Sequence, residues 1–146
     1  MAASLSVLQP LLIPPAPLWG HAAGVSVAAG FPSPAEGHRA ERIDLMAQLV
    51  RHPQATFFIR IRGDSMRDAG ILDGSVVVVD RAVRPAHGHI VVAVVDGDFT
   101  CKRLHLRDGQ MWLKPENPAF ADIVPHDGQT VEVWGVVVAA IQQYVV

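Results

Sequence analysis

The stretch HIVVAVVDGDFTCKRLHLRDGQMWLK, residues 89–114, decides the fold. It contains three runs rich in β-branched and other apolar side chains, at 89–95, 99–106 and 110–114, separated by Asp96-Gly97 and Asp108-Gly109. Asp-Gly pairs favour the tight turns of antiparallel hairpins, because these turns need residues that tolerate positive φ. The stretch therefore predicts three strands joined by hairpin turns.

The same signals continue on both sides of this stretch. Further strands are predicted at 56–61, 75–80 and 131–144, with Asp-Gly turns at 73–74 and 127–128. One amphipathic helix is predicted from about residue 36 to residue 51, stopped before Pro53. Many short strands at close spacing favour a mostly β fold, a compact sheet assembly with a short helix, over alternating βαβ units.

Length and charge limit the function classes. A chain of 146 residues fits one domain with a tail. Its net charge of -2 provides no basic field for tight, direct binding to nucleic acid, so any connection with DNA is expected to run through another protein. The only cysteine, Cys101, excludes an intramolecular disulfide and fits a reducing, cytoplasmic compartment.

The composition changes sharply at Gly30. Residues 1–29 contain no Asp, Glu, Lys or Arg, and four prolines lie between residues 10 and 17. This predicts an extended N-terminal arm over 1–29 and a folded domain, with a linker and the helix, over 30–146. The apolar side chains of the arm favour docking on a protein surface. Its prolines argue against a membrane span, and together with the missing basic residues against a secretory signal peptide.

Lys102 is the candidate general base. In the strand at 99–106, alternation places Thr100, Lys102, Leu104 and Leu106 on one face. Burial beside leucines lowers the pKa of a lysine, as a base that works near neutral pH requires. Arg103 is expected to face solvent. The alternative is a charged Lys102 that extends its amine from a sheet edge into water.

Ser65 is the candidate nucleophile. It follows Gly63-Asp64 directly after a predicted strand, so its hydroxyl is expected at a tight corner. Backbone N–H groups at such a corner, its own and a neighbour's, can form an oxyanion hole. Because Gly, Asp and Ser are also the commonest turn residues, Asp64 is interpreted as a turn or capping residue and not as a third catalytic group.

The bond between Ala29 and Gly30 is the candidate substrate. Small residues on both sides let a main chain lie deep in a cleft, and the flanking Val-Ala-Ala-Gly-Phe-Pro sequence can run extended. The alternative is a hinge glycine within the arm.

Other constellations are weaker. His87, His89 and Cys101 do not have a recognised zinc spacing, and no phosphate loop or dinucleotide fingerprint is present, so neither a metal nor a cofactor is expected. Trp112, Phe120 and Trp134 are interpreted as core or dimer-interface residues, because no cluster of basic residues accompanies them.

With these motifs in order, the chain resembles the LexA-like self-cleaving serine peptidases, and among them the UmuD-like proteins, over about residues 28–140. The resemblance rests on collinear motifs, which are Ala29-Gly30-Phe31-Pro32-Ser33-Pro34, Arg42-Ile43-Asp44-Leu45, His52-Pro53-Gln54-Ala55-Thr56, Gly63-Asp64-Ser65-Met66, Gly70-Ile71-Leu72-Asp73-Gly74, Val79-Asp80, Asp96-Gly97-Asp98-Phe99-Thr100 with Lys102, and Trp134-Gly135-Val136-Val137.

The resemblance implies a β-rich peptidase domain, a homodimer, Ser65 as nucleophile and Lys102 as general base. It also implies that a RecA filament on single-stranded DNA stimulates cleavage between Ala29 and Gly30 in the SOS response. The shortened form is then expected to act as accessory subunit of a UmuC-like Y-family polymerase in translesion synthesis.

Three alternatives remain open. A repressor of the same superfamily would need a helix-turn-helix domain, for which the 29 residues before the cut are too few and too rich in proline. A signal-peptidase-like enzyme would need a membrane anchor. A polymerase-binding scaffold with a silent site differs from the self-cleaving peptidase only in activity.

Overall fold

A computed structural model describes residues 6–10, 17, 19–23, 27, 29–30 and 40–146. In these residues it has nine strands, which are β1 (Ser6–Pro10), β2 (Trp19–Ala23), β3 (Ala40–Asp44), β4 (Thr56–Arg60), β5 (Val76–Asp80), β6 (Ile90–Val95), β7 (Asp98–Arg107), β8 (Gln110–Lys114) and β9 (Val131–Ile141). The helix α1 spans Leu45–Leu49, and short 3-10 turns lie at Pro53–Ala55 and Arg67–Ala69.

The strands form two antiparallel sheets. The larger sheet has seven strands in the order β1-β4-β5-β9-β6-β7-β8, and the smaller sheet is the pair β2-β3. The predicted mostly β class with a short helix is confirmed.

The stretch 89–114 forms β6, β7 and β8, joined as predicted. Asp96 and Gly97 both have positive φ, 47° and 87°, as the tightest hairpin turns require, and the turn at 108–109 has the same form. The strand at 110–114 has the predicted bounds, β6 begins one residue later than predicted, and β7 is one residue longer at each end.

The predicted helix at 36–51 is wrong in its bounds. Residues 36–39 lie outside the described residues, and 40–44 form β3, paired with β2 from Trp19↔Asp44 to Ala23↔Ala40. The helix begins only after Asp44, whose carboxylate accepts hydrogen bonds from the N–H groups of Met46 (3.0 Å) and Ala47 (3.3 Å). An N-cap of this kind fixes where a helix starts, and the apolar periodicity that suggested a longer helix is shared by a strand and one short turn of helix.

The arm docks on the folded domain, as predicted, in the part that the structure describes. β1 adds to the large sheet by pairing with β4, and β2 pairs with β3. Within the arm predicted to be extended, Ser6–Pro10 and Trp19–Ala23 form strands. Pairing partners distant in the sequence supply the hydrogen bonds that the local sequence did not indicate.

The large sheet is buried on both faces. Alternating residues of β6 contribute to different clusters, Val92 to one and Val91 with Ala93 to the other. The first cluster also contains Ile59, Ile61, Met66, Ile71, Val77, Val79 and Cys101, and the second contains Leu104, Leu113 and Val136. This explains why the valine runs do not alternate with polar residues.

The large aromatic residues have different surroundings. Trp134 packs against the first cluster and makes edge-to-face contacts with Phe57 (5.0 Å between ring centroids) and Phe99 (5.8 Å). Trp112 stacks on His105 at 5.1 Å on the outer side of β7 and β8. Trp134 is therefore a core residue, as predicted.

Candidate active site

The structure brings Ser65 and Lys102 together. Lys102 Nζ lies 3.1 Å from Ser65 Oγ, although the two residues are 37 positions apart in the sequence. Both residues are buried, with 4% of Ser65 and 3% of Lys102 exposed. A hydroxyl and an amine at hydrogen-bond distance, shielded from water, are the elements of a nucleophile and its base.

Ser65 lies in the loop between β4 and β5, and backbone hydrogen bonds join the two ends of this loop. The N–H of Ile61 donates to the carbonyl of Ser75 (2.8 Å), and the N–H of Gly74 donates back to the carbonyl of Ile61 (2.8 Å). Next to these hydrogen bonds the chain turns at Gly63, whose φ is 92°. Met66 is 1% exposed and packs in the first core cluster, which anchors the corner beside Ser65.

Asp64 acts as the turn residue that the sequence predicted. The carbonyl of Asp64 accepts a hydrogen bond from the N–H of Arg67 (3.1 Å), and Asp64 is exposed to solvent. In the described part of the chain, the N–H groups of Ser65 and Met66 donate no hydrogen bond. Unpartnered amides beside a nucleophile are the donors that an oxyanion hole needs.

Lys102 lies on the buried face of β7, as alternation predicted. Thr100 and Leu104 on the same face are each 1% exposed, whereas Leu106, expected to be buried with them, is 41% exposed. Burial lowers the pKa of Lys102, because it removes the charged ammonium from water; the neighbouring Cys101 has a smaller, opposite effect. Burial likewise raises the pKa of Cys101 to about 12, so this thiol stays protonated.

The hydrogen bonds of the amine can accommodate a neutral base. Lys102 Nζ contacts Thr100 Oγ1 (2.7 Å) and the carbonyl oxygen of Cys101 (3.2 Å) as well as Ser65 Oγ. A neutral amine has two N–H donors and one lone pair, and a carbonyl can only accept. In its neutral form the amine can donate two protons to Thr100 Oγ1 and the carbonyl of Cys101, which leaves its lone pair for the hydroxyl proton of Ser65.

Two residues that sequence reasoning missed fix the corner. The N–H of Glu116 donates to the carbonyl of Ser65 (2.8 Å), and the side-chain amide of Asn117 donates to the carbonyl of Asp64 (2.9 Å). Asn117 is itself buried, and its Oδ1 accepts the N–H of Ala119 (3.0 Å). These contacts join segments about 50 residues apart, and Pro115 and Pro118 on either side give only a turn signal in the sequence.

Arg103 corrects a second expectation. Its Nε donates to Glu116 Oε1 at 2.5 Å and its guanidinium also donates to the carbonyl of Gly88 (2.7 Å). It is therefore half-buried and paired, not a cation facing solvent. Because Arg103 follows Lys102 on β7, and Glu116 donates to the carbonyl of Ser65, this ion pair connects the strand of Lys102 to the corner at Ser65.

A cavity of about 410 Å³ includes Thr100 and Lys102 in its lining. Its other lining residues include apolar Val95, Phe120 and Ile123 and acidic Asp96, Asp98 and Asp122. A larger cavity, of about 510 Å³, lies beside α1 and its lining includes neither Ser65 nor Lys102. The smaller cavity therefore reaches Lys102, whereas Ser65 is not part of its lining.

The structure does not bring the junction to this pair. Ala29 and Gly30 are both exposed and lie in the connection between β2 and β3. A Cβ placed on Gly30 would meet no heavy atom within 4 Å beyond its chain neighbours. The Ala29-Gly30 junction is therefore exposed to solvent in this conformation.

The residues weighed as metal ligands are engaged elsewhere. The Nδ1 atoms of His87 and His89 accept hydrogen bonds from the N–H groups of Leu106 (3.0 Å) and Ala86 (3.1 Å), and Cys101 is in the first core cluster. Across the residues that the structure describes, no three His, Cys, Asp or Glu side chains are grouped to hold a metal. Nor does any helix in this part of the chain have the length and apolar character to cross a membrane.

Comparison with known proteins adds to this geometry. The family described as Peptidase S24-like matches residues 17–138. Protein MucA of Salmonella typhimurium is 47% identical over 112 residues, which cover 76% of each chain, and protein SamA of the same species is 45% identical over 115 residues, 79% of each. The LexA repressor of Frankia casuarinae is 41% identical over 117 residues, 80% of this chain but 44% of the repressor.

Proposed function

Because the chain belongs to the peptidase S24-like family, we propose that it is a serine endopeptidase that cleaves itself between Ala29 and Gly30. The resemblance predicted from the motifs is confirmed at the level of the family. In this proposal Ser65 is the nucleophile and Lys102 is the general base, and residues 1–29 are the arm that leaves the domain formed by residues 30–146.

One observation carries the proposal. The 3.1 Å contact between Lys102 Nζ and Ser65 Oγ is buried, and burial lowers the pKa of the lysine that must be neutral to act. A solvent-exposed lysine would be almost fully protonated at pH 7 and could not accept the proton of the serine.

The first half of the reaction forms an acyl-enzyme. Lys102 Nζ takes the proton of Ser65 Oγ as the oxygen attacks the carbonyl carbon of Ala29. The oxyanion is stabilised by the N–H groups of Ser65 and Met66, a contribution worth about 10²- to 10³-fold in rate for a single donor. When the tetrahedral intermediate collapses, the lysine gives its proton to the nitrogen of Gly30, which leaves as a new N-terminus.

The second half restores the enzyme. Water, deprotonated by the neutral amine of Lys102, attacks the ester that joins Ala29 to Ser65 Oγ. The collapse of this second intermediate releases the carboxylate of Ala29 and returns the proton to Ser65. The arm and the domain are then separate chains.

Cleavage requires a change of conformation, because Ala29 and Gly30 are exposed and must enter the cleft. The proposed stimulus is a RecA filament on single-stranded DNA, which would act by stabilising the docked conformation. This contact runs through protein, in keeping with the net charge of -2.

The proposed role follows from the resemblance to UmuD-like proteins. The cytoplasmic homodimer, shortened in the SOS response, would act as accessory subunit of a UmuC-like Y-family polymerase that copies damaged DNA. The test is incubation with RecA, nucleotide and single-stranded DNA. We expect fragments with the masses of residues 1–29 and 30–146 from the wild type and none from Ser65→Ala.

A second candidate is a scaffold with a silent site, which the open position of the Ala29-Gly30 junction favours. It predicts that no condition yields the two fragments. For a LexA-like repressor the alignment gives less support, since this chain matches less than half of the repressor's length.

A further inference from the structure

Every strand that the structure describes within residues 1–29 pairs across the junction. β1 pairs with β4 and β2 pairs with β3, and both partner strands lie after Gly30. Residues 24–39, which contain the junction, connect β2 directly to β3. A cut between Ala29 and Gly30 therefore breaks the connection without breaking either set of strand hydrogen bonds.

The smaller sheet holds the arm next to the cut. Five residue pairs join β2 to β3, from Trp19↔Asp44 to Ala23↔Ala40. The guanidinium of Arg42 lies 4.5 Å from the centroid of the Trp19 ring, which adds a cation–π contact between the two strands. Backbone pairing and this side-chain contact do not depend on the covalent link through residues 24–39.

The larger sheet holds the arm at its edge. β1 lies beside β4, and the other side of β4 is paired with β5. Without β1, one row of backbone N–H and C=O groups of β4 would face water or a new strand. The pairing is short and its register shifts between Val7 and Gln9, so another strand can displace it more easily than a regular pairing.

We propose that the cleaved arm stays bound as a non-covalent two-strand ligand, so that cleavage and release of the arm are separate steps. The edge of β4 is then an interaction surface whose first occupant is the chain's own segment Ser6–Pro10. For the natural cut, the inference rests on the proposed function.

The two steps differ in their dependence on concentration. In the intact chain the arm has an effective concentration on the order of millimolar, set by its connection to the domain. After the cut, the fragment dissociates or stays according to the actual protein concentration. A partner that presents an extended strand would then compete with the fragment for the edge of β4.

The first experiment follows both steps on one sample. Wild-type protein is allowed to cleave at alkaline pH and returned to neutral pH at micromolar concentration. Denaturing mass spectrometry measures the cut, and size-exclusion chromatography with native mass spectrometry measures whether the fragment stays with the domain. We expect both fragments in the denatured sample and a one-to-one complex in the native sample.

Cleavage by an added protease tests this inference independently of the proposed function. Elastase cleaves after small residues, and limited digestion of the Ser65→Ala variant can nick the exposed Ala29-Gly30 segment without self-cleavage. The nicked variant is analysed in the same way. If the wild type fails to cleave itself, the proposed function fails, and the elastase-nicked protein still decides the inference.

A matched pair of arginines provides the control. Arg42→Ala removes the contact with Trp19, and we expect about two- to fivefold weaker retention of the fragment. Arg51→Ala removes an exposed arginine after α1 and should retain the fragment as the parent does.

Hydrogen exchange of Thr56–Arg60 gives a second measure of the edge. Its amides should stay protected in the nicked complex and exchange faster after dilution releases the fragment. The inference is overturned if the fragment elutes alone from the nicked protein at micromolar concentration, or if exchange in β4 rises as soon as the chain is cut.

Discussion

Replacement of Lys102 by methionine should change how stability depends on pH. Burial lowers the pKa of Lys102 below its ordinary value of 10.5, so over an interval of pH the unfolded chain binds a proton that the folded chain does not. Stability then increases as pH rises through this interval, up to 10.5. At pH 7 the lysine therefore destabilises the fold, and the Lys102→Met variant escapes that cost.

The magnitude has an upper bound. The cost at pH 7 cannot exceed the free energy of deprotonating a free lysine with a pKa of 10.5, about 4.8 kcal/mol. Between pH 7 and pH 10 it can change by at most about 4 kcal/mol. Methionine also leaves Thr100 Oγ1 and Ser65 Oγ without the amine as partner, but this loss is the same at every pH and cancels in the pH dependence.

The assay compares two chains that are both unable to cleave. Urea unfolding of Lys102→Met and of Ser65→Ala is followed at a fixed protein concentration from pH 7 to pH 10. We expect the stability of Lys102→Met relative to Ser65→Ala to fall as pH rises. As a control, Lys114→Met in the Ser65→Ala background removes an exposed lysine from β8 and should show a smaller trend relative to Ser65→Ala. Parallel pH profiles for Lys102→Met and Ser65→Ala would show that burial does not lower the pKa of Lys102 in the folded chain.

Three further substitutions test the surroundings of the site and the packing of the large sheet. Thr100→Val removes the acceptor 2.7 Å from the buried amine and should slow self-cleavage about ten- to hundredfold, whereas Thr100→Ser should recover the rate; equal rates for all three chains would contradict this. Asn117→Ala leaves the carbonyl of Asp64 without its side-chain donor and should lower the free energy of unfolding by about 1–3 kcal/mol. It should also slow cleavage without moving the pH midpoint of the cleavage rate. An unchanged rate would show that the corner at Ser65 does not need this contact. Gly135→Ala places a Cβ 2.6 Å from Val79 Cγ1 and should cost about 1–3 kcal/mol in urea unfolding, so an unchanged midpoint would show that the strands move apart freely.

Local patterns predicted the strands from β4 to β9 and the buried position of Lys102. Asp-Gly turns mark the hairpins of β6, β7 and β8, and period-two alternation places Lys102 on a buried face. The predicted bounds of the helix were wrong, because the N-cap at Asp44 and the pairing of β3 with β2 decide where the helix begins. Propensity alone does not contain such a partner.

Contacts between distant segments could not be predicted. The hydrogen bond from Asn117 to Asp64 spans 53 positions, and in the sequence this buried amide beside Ser65 looks like any asparagine in a turn. Likewise, Arg103 is adjacent to Lys102 and was expected in solvent, but its pairing with Glu116 follows only from the folded chain.

Intact mass after incubation at neutral and alkaline pH tests the proposed mechanism, in which Ser65 and Lys102 together cut the chain at Ala29-Gly30. We expect wild-type protein to yield fragments of residues 1–29 and 30–146, faster at alkaline pH where the lysine is neutral, and we expect Ser65→Ala and Lys102→Ala to stay whole. Fragments of the same masses from either variant, or a wild type that remains whole even with RecA, nucleotide and single-stranded DNA, would contradict it.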